Sequence, residues 1–552
     1  MQTKRPAVPS RSGRSGERRL GARRVTTGCI TCKKRRIKCD EAKPSCHRCT
    51  STGRKCDGYA NPDSLLSWPD RSGPMRPNFQ HGRLFPLFET ALASPLTANE
   101  AENRAFRYFA YGGATALSGY IDLDLWSRFI PQICHAESAV RYAVVAIGSL
   151  LMNADARLTD PALSTGSAAG SEATHLSFAL QQYNRAIHST LANQKIGGED
   201  ILIQRIAFLL FFCIEILQGH NDAAWVLFER AQQAKFLSYS HDGVGSHSIG
   251  LVATFVRMSV QYGMSHGIPI PTVGSSKTWD MASERIRDIA DARAELDDLV
   301  LRSQDLMTRG IKFSHLASFV TEVDDAAQAW PGNSLADLFR SVLAIQSALD
   351  SWHTRFTAFA QTQVPLSDRD AISTYMLFLH YRMMKVWLLA STEVSDMVYD
   401  DHLADYEDTV SLACSVLDLM KGLGSTMSFS FEMGLILPLY AMVISCRYPV
   451  LRRRALTLLR QAPAQEGTWN RDLMARIAER VIEIEEGNDG FRSFDLEQGL
   501  VVLPPEEARV KIAAVSLETT LDNGRRGKVV TFYTMPRGLN EAPTILREFF
   551  VL

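Results

Sequence analysis

Six cysteines fall between residues 29 and 56 in the order Cys29-x2-Cys32-x6-Cys39-x6-Cys46-x2-Cys49-x6-Cys56, and no other feature restricts the fold of this chain as tightly. The unit C-x2-C-x6-C occurs twice, with one six-residue joint between the copies. A C-x2-C pair sets two thiolates on one tight turn, where they bind the same ion, and the third sulfur returns after room for a short helix. Three sulfurs per repeat leave each tetrahedral Zn²⁺ one ligand short. The economical arrangement is therefore two bridging sulfurs and two ions among six cysteines. A segment this short, with few apolar side chains, has no core to bury, so metal binding must supply its folding free energy. His47 lies inside the second C-x2-C, but the sulfurs already suffice. A disulfide scaffold is the competing reading. The first 24 residues are rich in Arg, Ser and Gly and lack the apolar core of a secretory signal. That points to a reducing compartment and against disulfides.

A formal net charge of zero conceals a division along the chain. Residues 1–60 carry 17 Lys and Arg against 4 Asp and Glu, and the remainder 43 against 56. Such asymmetry points to a polyanionic partner for the amino-terminal end, the alternative being a basic import tail. The two cysteine repeats are also unequal. Lys33, Lys34, Arg35, Arg36, Ile37 and Lys38 separate Cys32 from Cys39, whereas Thr50, Ser51, Thr52, Gly53, Arg54 and Lys55 separate Cys49 from Cys56. The first repeat is therefore the side expected to face DNA. Six thiolates with two Zn²⁺ leave a formal charge of about −2, so the same cations also lower the electrostatic cost of the cluster.

The run GCITCKKRRIKCDEAKPSCHRC, with all five cysteine intervals, resembles the fungal-type Zn2Cys6 binuclear-cluster transcription factors. The resemblance implies that Cys29 and Cys46 bridge. One zinc would then be held by Cys29, Cys32, Cys39 and Cys46, and the other by Cys46, Cys49, Cys56 and Cys29. Pro44 matches the proline that shapes the family's joint between the halves. The family likeness further implies that the first short helix enters the major groove and reads a CGG triplet through Arg35 and Arg36. Arginine suits that task because its planar fork bonds guanine O6 and N7 together. Lys33, Lys34, Lys38 and Lys43 are the candidates for phosphate contacts, which fix orientation without reading sequence.

Around this module the chain is expected to be mainly α. Residues 1–24 form a disordered basic arm, and residues 25–59 the DNA-binding domain. Residues 60–100, with Pro62, Pro69, Pro74, Pro77, Pro86 and Pro95, form a Pro-rich linker through which no helix can run. From about 101 to 490, apolar residues recur at 3- and 4-residue spacing, as in 139–152, 175–192, 201–217 and 372–390, which predicts an all-helical regulatory domain. FRYFAYGGATALSGYIDLDLWSRFIPQICHAESAVRYAVVAIGSL (106–150) and GHNDAAWVLFERAQQA (219–234) resemble the fungal-specific transcription factor domain of the second type. Read for themselves, Phe106, Phe109, Trp126 and Phe129 are packing residues. The longest apolar run, Met433–Cys446, has 14 residues, too few to span a bilayer, and reads as a buried helix. In the tail 491–552, VKIAAVSLETT and KVVTFYT flank Asp522-Asn523-Gly524, the signature of a hairpin. The stretch 481–507 mixes acids with Ile482, Ile484, Phe491, Phe494 and Leu496, a composition shared by activation segments and by solvated helix ends.

The chain contains no P-loop, no Gly-rich dinucleotide turn, no G-x-S-x-G elbow and no H-E-x-x-H. His135, His220, His266 and His380 stand without partners at a site-forming spacing. These readings converge on a nuclear transcriptional regulator of the RNA polymerase II type rather than an enzyme, with two Zn²⁺ as cofactors and double-stranded DNA as partner. It would control either a specialised-metabolite gene cluster or nutrient and stress genes. Its site is built either by a homodimer formed through the helical domain or by a monomer aided by the basic arm; no heptad repeat follows the cysteines. The transcription machinery or a metabolite effector are further expected partners, and a membrane is not. A zinc-cluster-tethered small-molecule-binding protein or scaffold is the alternative from another class.

Overall fold

The computed structural model describes residues 31, 32, 37, 39, 40, 42, 45–53, 55–56, 99–120, 124–159, 169–194, 201–233, 246–266, 285–313, 335–363, 366–393, 395–423, 429–487, 494–495, 500–521, 525–538 and 541–551. Residues 1–86 and 87–552 form two compact units. The basic arm and the Pro-rich stretch up to residue 98 lie outside the described residues.

In the first unit, residues 31–32 are helical and α1 (His47–Thr50) covers the second C-x2-C pair. Gly53 follows α1 at φ +64°, a left-handed conformation that a residue without Cβ adopts freely.

The second unit opens at α2 (Glu100–Tyr108), whose first amides are capped by Asn99: its Oδ1 accepts from Ala101 and Glu102. A π-helical turn, Phe109–Gly113, joins it to α3 (Ala114–Ser118), and a second, Leu125–Phe129, leads into α4 (Ile130–Ala136). Long helices follow: α5 (Ser138–Thr159), α6 (Ala169–Gln194), α7 (Ile201–Leu217), α8 (Asn221–Gln233), α9 (Ser246–His266), α10 (Ile289–Phe313), α11 (Leu335–Thr362) and α12 (Asp368–Ala390). A 3-10 turn (Asp396–His402) leads to α13 (Leu403–Gly422), and after it come α14 (Ile436–Ser445), α15 (Pro449–Leu459) and α16 (Arg471–Glu486). The four segments chosen on periodicity fall within α5, α6, α7 and α12. The run Met433–Cys446 is the buried α14 with its flanks. No helix among the described residues is long and apolar enough to cross a membrane.

Among the described residues, three apolar clusters fill this unit. The first lies among α2 to α9 and contains Phe109, Trp126, Phe212 and Phe228. The second joins α12 to α16, and the third joins the end of α9 to α10, α11 and α12 around Trp352 and Phe356. Residues 429–437 enter all three: Phe429 and Phe431 the first, Leu435 and Ile436 the second, Met433 and Leu437 the third. Close helix contact requires glycine at one place. A Cβ on Gly148 of α5 would stand 2.1 Å from the Ala105 carbonyl oxygen of α2.

The region up to 490 is not purely helical, as the periodicity implied. β1 (Phe429–Ser430) pairs in parallel with β2 (Gln465–Glu466), which pairs antiparallel with β3 (Trp469–Asn470). Strands of two residues carry no alternation to read. Beyond Glu486, β4 (Phe494–Asp495) pairs with β5 (Leu500–Val501). The expected hairpin is present as β6 (Val510–Thr520) and β7 (Arg526–Thr534), with Val515 opposite Val530. Residues 522–524, the expected turn, lie outside the described residues. A third strand, β8 (Thr544–Val551), extends it into an antiparallel sheet that the sequence reading lacked. Val510, Val530 and Phe532 seat this sheet in the second cluster.

The acidic stretch around α16 is corrected by its burial. Val481 and Ile482 are core residues and the Glu485 side chain is fully buried. Glu485 accepts from Arg447 at 2.9 Å, Arg452 at 2.6 Å and the Val510 amide at 3.0 Å. Buried Arg509 pairs with Asp400 at 2.6 Å. This part of 481–507 is a structural lock between α16 and the terminal sheet, not an exposed activation segment. Burial at this density demands pairing, because an isolated buried charge is prohibitively costly.

Candidate metal centre

The described cysteines of the first unit collect in one knot. Cys32, Cys46 and Cys49 are fully buried, and Cys39 and Cys56 pack against them. The Cys32 sulfur lies 3.7 Å from that of Cys46 and 3.8 Å from that of Cys49. Two sulfurs on one tetrahedral zinc, each about 2.3 Å from it, are separated by about 3.8 Å. The donor set thus has the chemistry and the spacing of a thiolate zinc site. Among the described residues, two groupings each bring three potential ligand atoms within 4.8 Å of one another: Cys32, Cys46 and Cys49, and Cys39, Asp40 and Cys46. Cys46 is common to both, reaching sulfurs of both repeats. Contact between Cys32 and Cys49 sets side by side two sulfurs that the family pairing distributes over the two ions.

Local hydrogen bonds hold the two halves together. The Cys46 amide donates to the Cys56 sulfur at 3.5 Å, and the Thr31 hydroxyl donates to the Lys55 carbonyl at 3.4 Å. Asp40, one residue past Cys39, accepts from the His47 amide at 2.9 Å and the Arg48 amide at 3.3 Å, capping α1. Sequence reasoning had no signal for Asp40 beyond its place between the repeats. His47 is exposed on α1. Cys29, Lys33, Lys34, Arg35, Arg36, Lys38 and Lys43, all candidates from the sequence, lie outside the described residues, as does Pro44.

The remaining cysteines behave differently. Cys134, Cys213 and Cys446 are buried in the second unit; burial pushes the first two thiols well up and that of Cys446 to about 12, so all three stay protonated packing groups. Among the histidines, His135 meets the Phe106 ring edge to face, and His220 bonds Glu215 at 3.0 Å. The His380 Nε2 donates to the Gly434 carbonyl at 3.2 Å. The side chain of His266 lies outside the described set.

Comparison with known proteins agrees with this chemistry. Residues 27–65 match the fungal Zn(2)-Cys(6) binuclear cluster domain. The chain is similar to the aspercryptin biosynthesis cluster-specific transcription regulator atnN of Emericella nidulans, at 22% identity over 92% of this chain and 93% of that one. It is also similar to the transcriptional regulatory protein moc3 of Schizosaccharomyces pombe, at 44% identity over 13% of this chain and 14% of that one. The transcription regulator lscL of Purpureocillium lilacinum matches at 26% identity over 34% and 43% of the two chains. No solved structure matches. The match marks residues 27–65 as a fungal Zn(2)-Cys(6) binuclear cluster domain, and the chain is similar along most of its length to a protein named as a transcription regulator. This cluster domain holds two zinc ions. Similarity to the Emericella regulator extends through both units, well beyond the cysteines.

Proposed function

We propose that this protein is a DNA-binding regulator that acts in the nucleus on RNA polymerase II genes by reading a CGG-type triplet, and that its targets form a specialised-metabolite gene cluster. The observation that carries the DNA-reading part is the compact sulfur knot, with Cys46 within reach of both repeats, whose first repeat carries in sequence a run of five Lys and Arg at 33–38. Cys46 shared between the groupings supports a bridging role for it, with Cys29 as the second bridge and Cys32, Cys39, Cys49 and Cys56 as terminal ligands. Arg35 and Arg36 read guanine; Lys33, Lys34, Lys38 and Lys43 contact phosphate. The full-length likeness to a cluster-specific regulator supports the choice of target over nutrient or stress genes.

The test uses full-length, zinc-loaded protein and labelled duplexes with and without CGG. Arg36→Ala removes a bidentate guanine contact worth about 1–3 kcal/mol, so affinity for the CGG duplex falls about 5- to 150-fold with little change on the scrambled duplex. Lys33→Ala weakens both equally and flattens the salt dependence by about one counterion. Equal binding of the parent protein to both duplexes overturns the reading. Genome-wide mapping of occupied promoters decides between a gene cluster and dispersed nutrient genes.

A further inference from the structure

Between the second and third apolar clusters, the second unit holds a cavity of about 30 Å³, the space of one or two water molecules. Its walls come from the turn after α3, from α10, α12 and α13, and from the β1, β2 and α14 region. Five charged or titratable side chains border it: Tyr120, Glu466, Glu432, Arg293 and His380. Their pairing is uneven.

Glu432 is neutralised. Its carboxylate is held by Arg257 at 2.9 Å and Arg293 at 2.5 Å, and Asp297 lies 3.7 and 3.6 Å from the same two guanidinium groups. Two cations and two anions cancel, so Arg293 offers no spare charge to an anion. Glu466 differs: no Lys or Arg pairs with it among the described residues. Its carboxylate instead accepts three backbone amides, from Gly434 at 3.1 Å, Leu435 at 3.0 Å and Ile436 at 2.7 Å. A carboxylate has about four acceptor sites, which leaves about one open. The close fit depends on glycine, since a Cβ at Gly434 would stand 2.4 Å from a Glu466 oxygen. Burial pushes the Glu466 carboxyl up to about 7, against the pull of the three amides, as expected of a charge without a counter-ion.

His380 adds an acceptor. Burial, and then the Arg293 charge, push it down to about 4, so the ring is neutral. Its Nε2 hydrogen is committed to the Gly434 carbonyl, which leaves the Nδ1 lone pair as the acceptor. The apolar wall includes Met376, Met420 and Met433, unbranched side chains that repack easily around a guest.

We propose that this cavity is a ligand site for a small protonated primary amine, whose ammonium group meets Glu466 and His380 while its short apolar tail displaces the methionine side chains. An ammonium head is about the size of a water molecule, and two of its donors meet the acceptor site left open on Glu466 and the Nδ1 lone pair of His380. Such a ligand would touch the second cluster through Met376 and Met420 and the third through Leu377 and Met433, and so stabilise the packing between them.

The test is thermal denaturation of full-length, zinc-loaded protein with n-propylammonium chloride, n-propanol or sodium propionate, ionic strength being matched with NaCl. The amine alone should raise the melting temperature saturably, by about 2 °C or more. The shift should vanish in Glu466→Gln and in Met420→Phe, whose ring fills the space; if the former does not fold, the latter carries the comparison. No shift with the amine beyond NaCl overturns the proposal. An equal shift with propionate overturns it in favour of anion binding at Arg293, and an equal shift in both variants places the amine elsewhere.

Discussion

Replacing Glu485 by glutamine keeps the shape of the side chain and removes a single charge. In the fold that charge lies between two guanidinium groups, Arg447 at 2.9 Å and Arg452 at 2.6 Å, with all three side chains at 0–1% exposure. The pair of cations would then remain buried with Asp396, 3.4 Å from Arg447, and Glu486, 3.9 Å from Arg452, as weaker partners. Removing one member of a buried ionic group costs about 3–5 kcal/mol, most of it the penalty for the charge left behind. For a unit of this size that corresponds to a melting temperature lower by roughly 5 °C. Adding Arg452→Met to Glu485→Gln should recover part of the loss, because an uncompensated guanidinium leaves with it. The parent protein supplies a pH signature. Burial would raise the Glu485 carboxyl, but Arg447 and Arg452 outweigh it and hold it below the ordinary carboxylate value of 4.5. A lowered folded value means that the stabilisation is complete above that range and is lost as pH falls through it. Glu485→Gln should flatten this acid limb. Differential scanning calorimetry from about pH 2.5 to 7.5 reads both effects. A loss below about 1 kcal/mol would refute the buried lock. So would a fall in reporter activation at unchanged melting temperature, the behaviour of an exposed activation segment.

Three further outcomes are expected. Chelation should release about two zinc ions per chain and abolish ordered structure in the first unit, read by metal titration and circular dichroism, while the helical unit keeps its melting temperature. Gly148→Ala, whose Cβ would meet the Ala105 carbonyl oxygen at 2.1 Å, should force α2 from α5 and lower the melting temperature by several degrees, whereas alanine at Gly112, with nothing within 4 Å, should leave it unchanged or higher. Asp40→Ala should remove the acceptor of the His47 and Arg48 amides and weaken zinc retention during competition with a chelator, with Asp40→Asn losing less.

Much of this architecture was legible in the sequence because its signals are long or rigidly spaced. α7 and α12 announce themselves as long, apolar-rich runs without Pro or Gly, and β6 and β7 through β-branched runs on either side of a turn signal. β8 was not legible: in TILREFFV exposure does not alternate, the first four residues being exposed and the last four half-buried. β1, β2 and β3 are too short to carry a period. The pairing of Glu485 with Arg447 and Arg452 joins residues more than 30 positions apart, and composition alone makes such an acid look solvated. At the metal centre the cysteine intervals carry nearly all the information, because each sulfur must return to the same point. Asp40 escaped notice because its work is done on backbone amides that no side-chain pattern reveals.

The strip 429–437 binds the fates of regions far apart in the chain. With Phe431 in one cluster, Met433 in another and Leu435 in the last, no half of the helical unit has a complete interior without it. Engineering a shortened regulator therefore has two natural forms, the zinc module alone or the unit from residue 87 onward alone. An intermediate deletion would expose severed apolar faces and hand the product to proteolysis before any transcriptional effect could be scored.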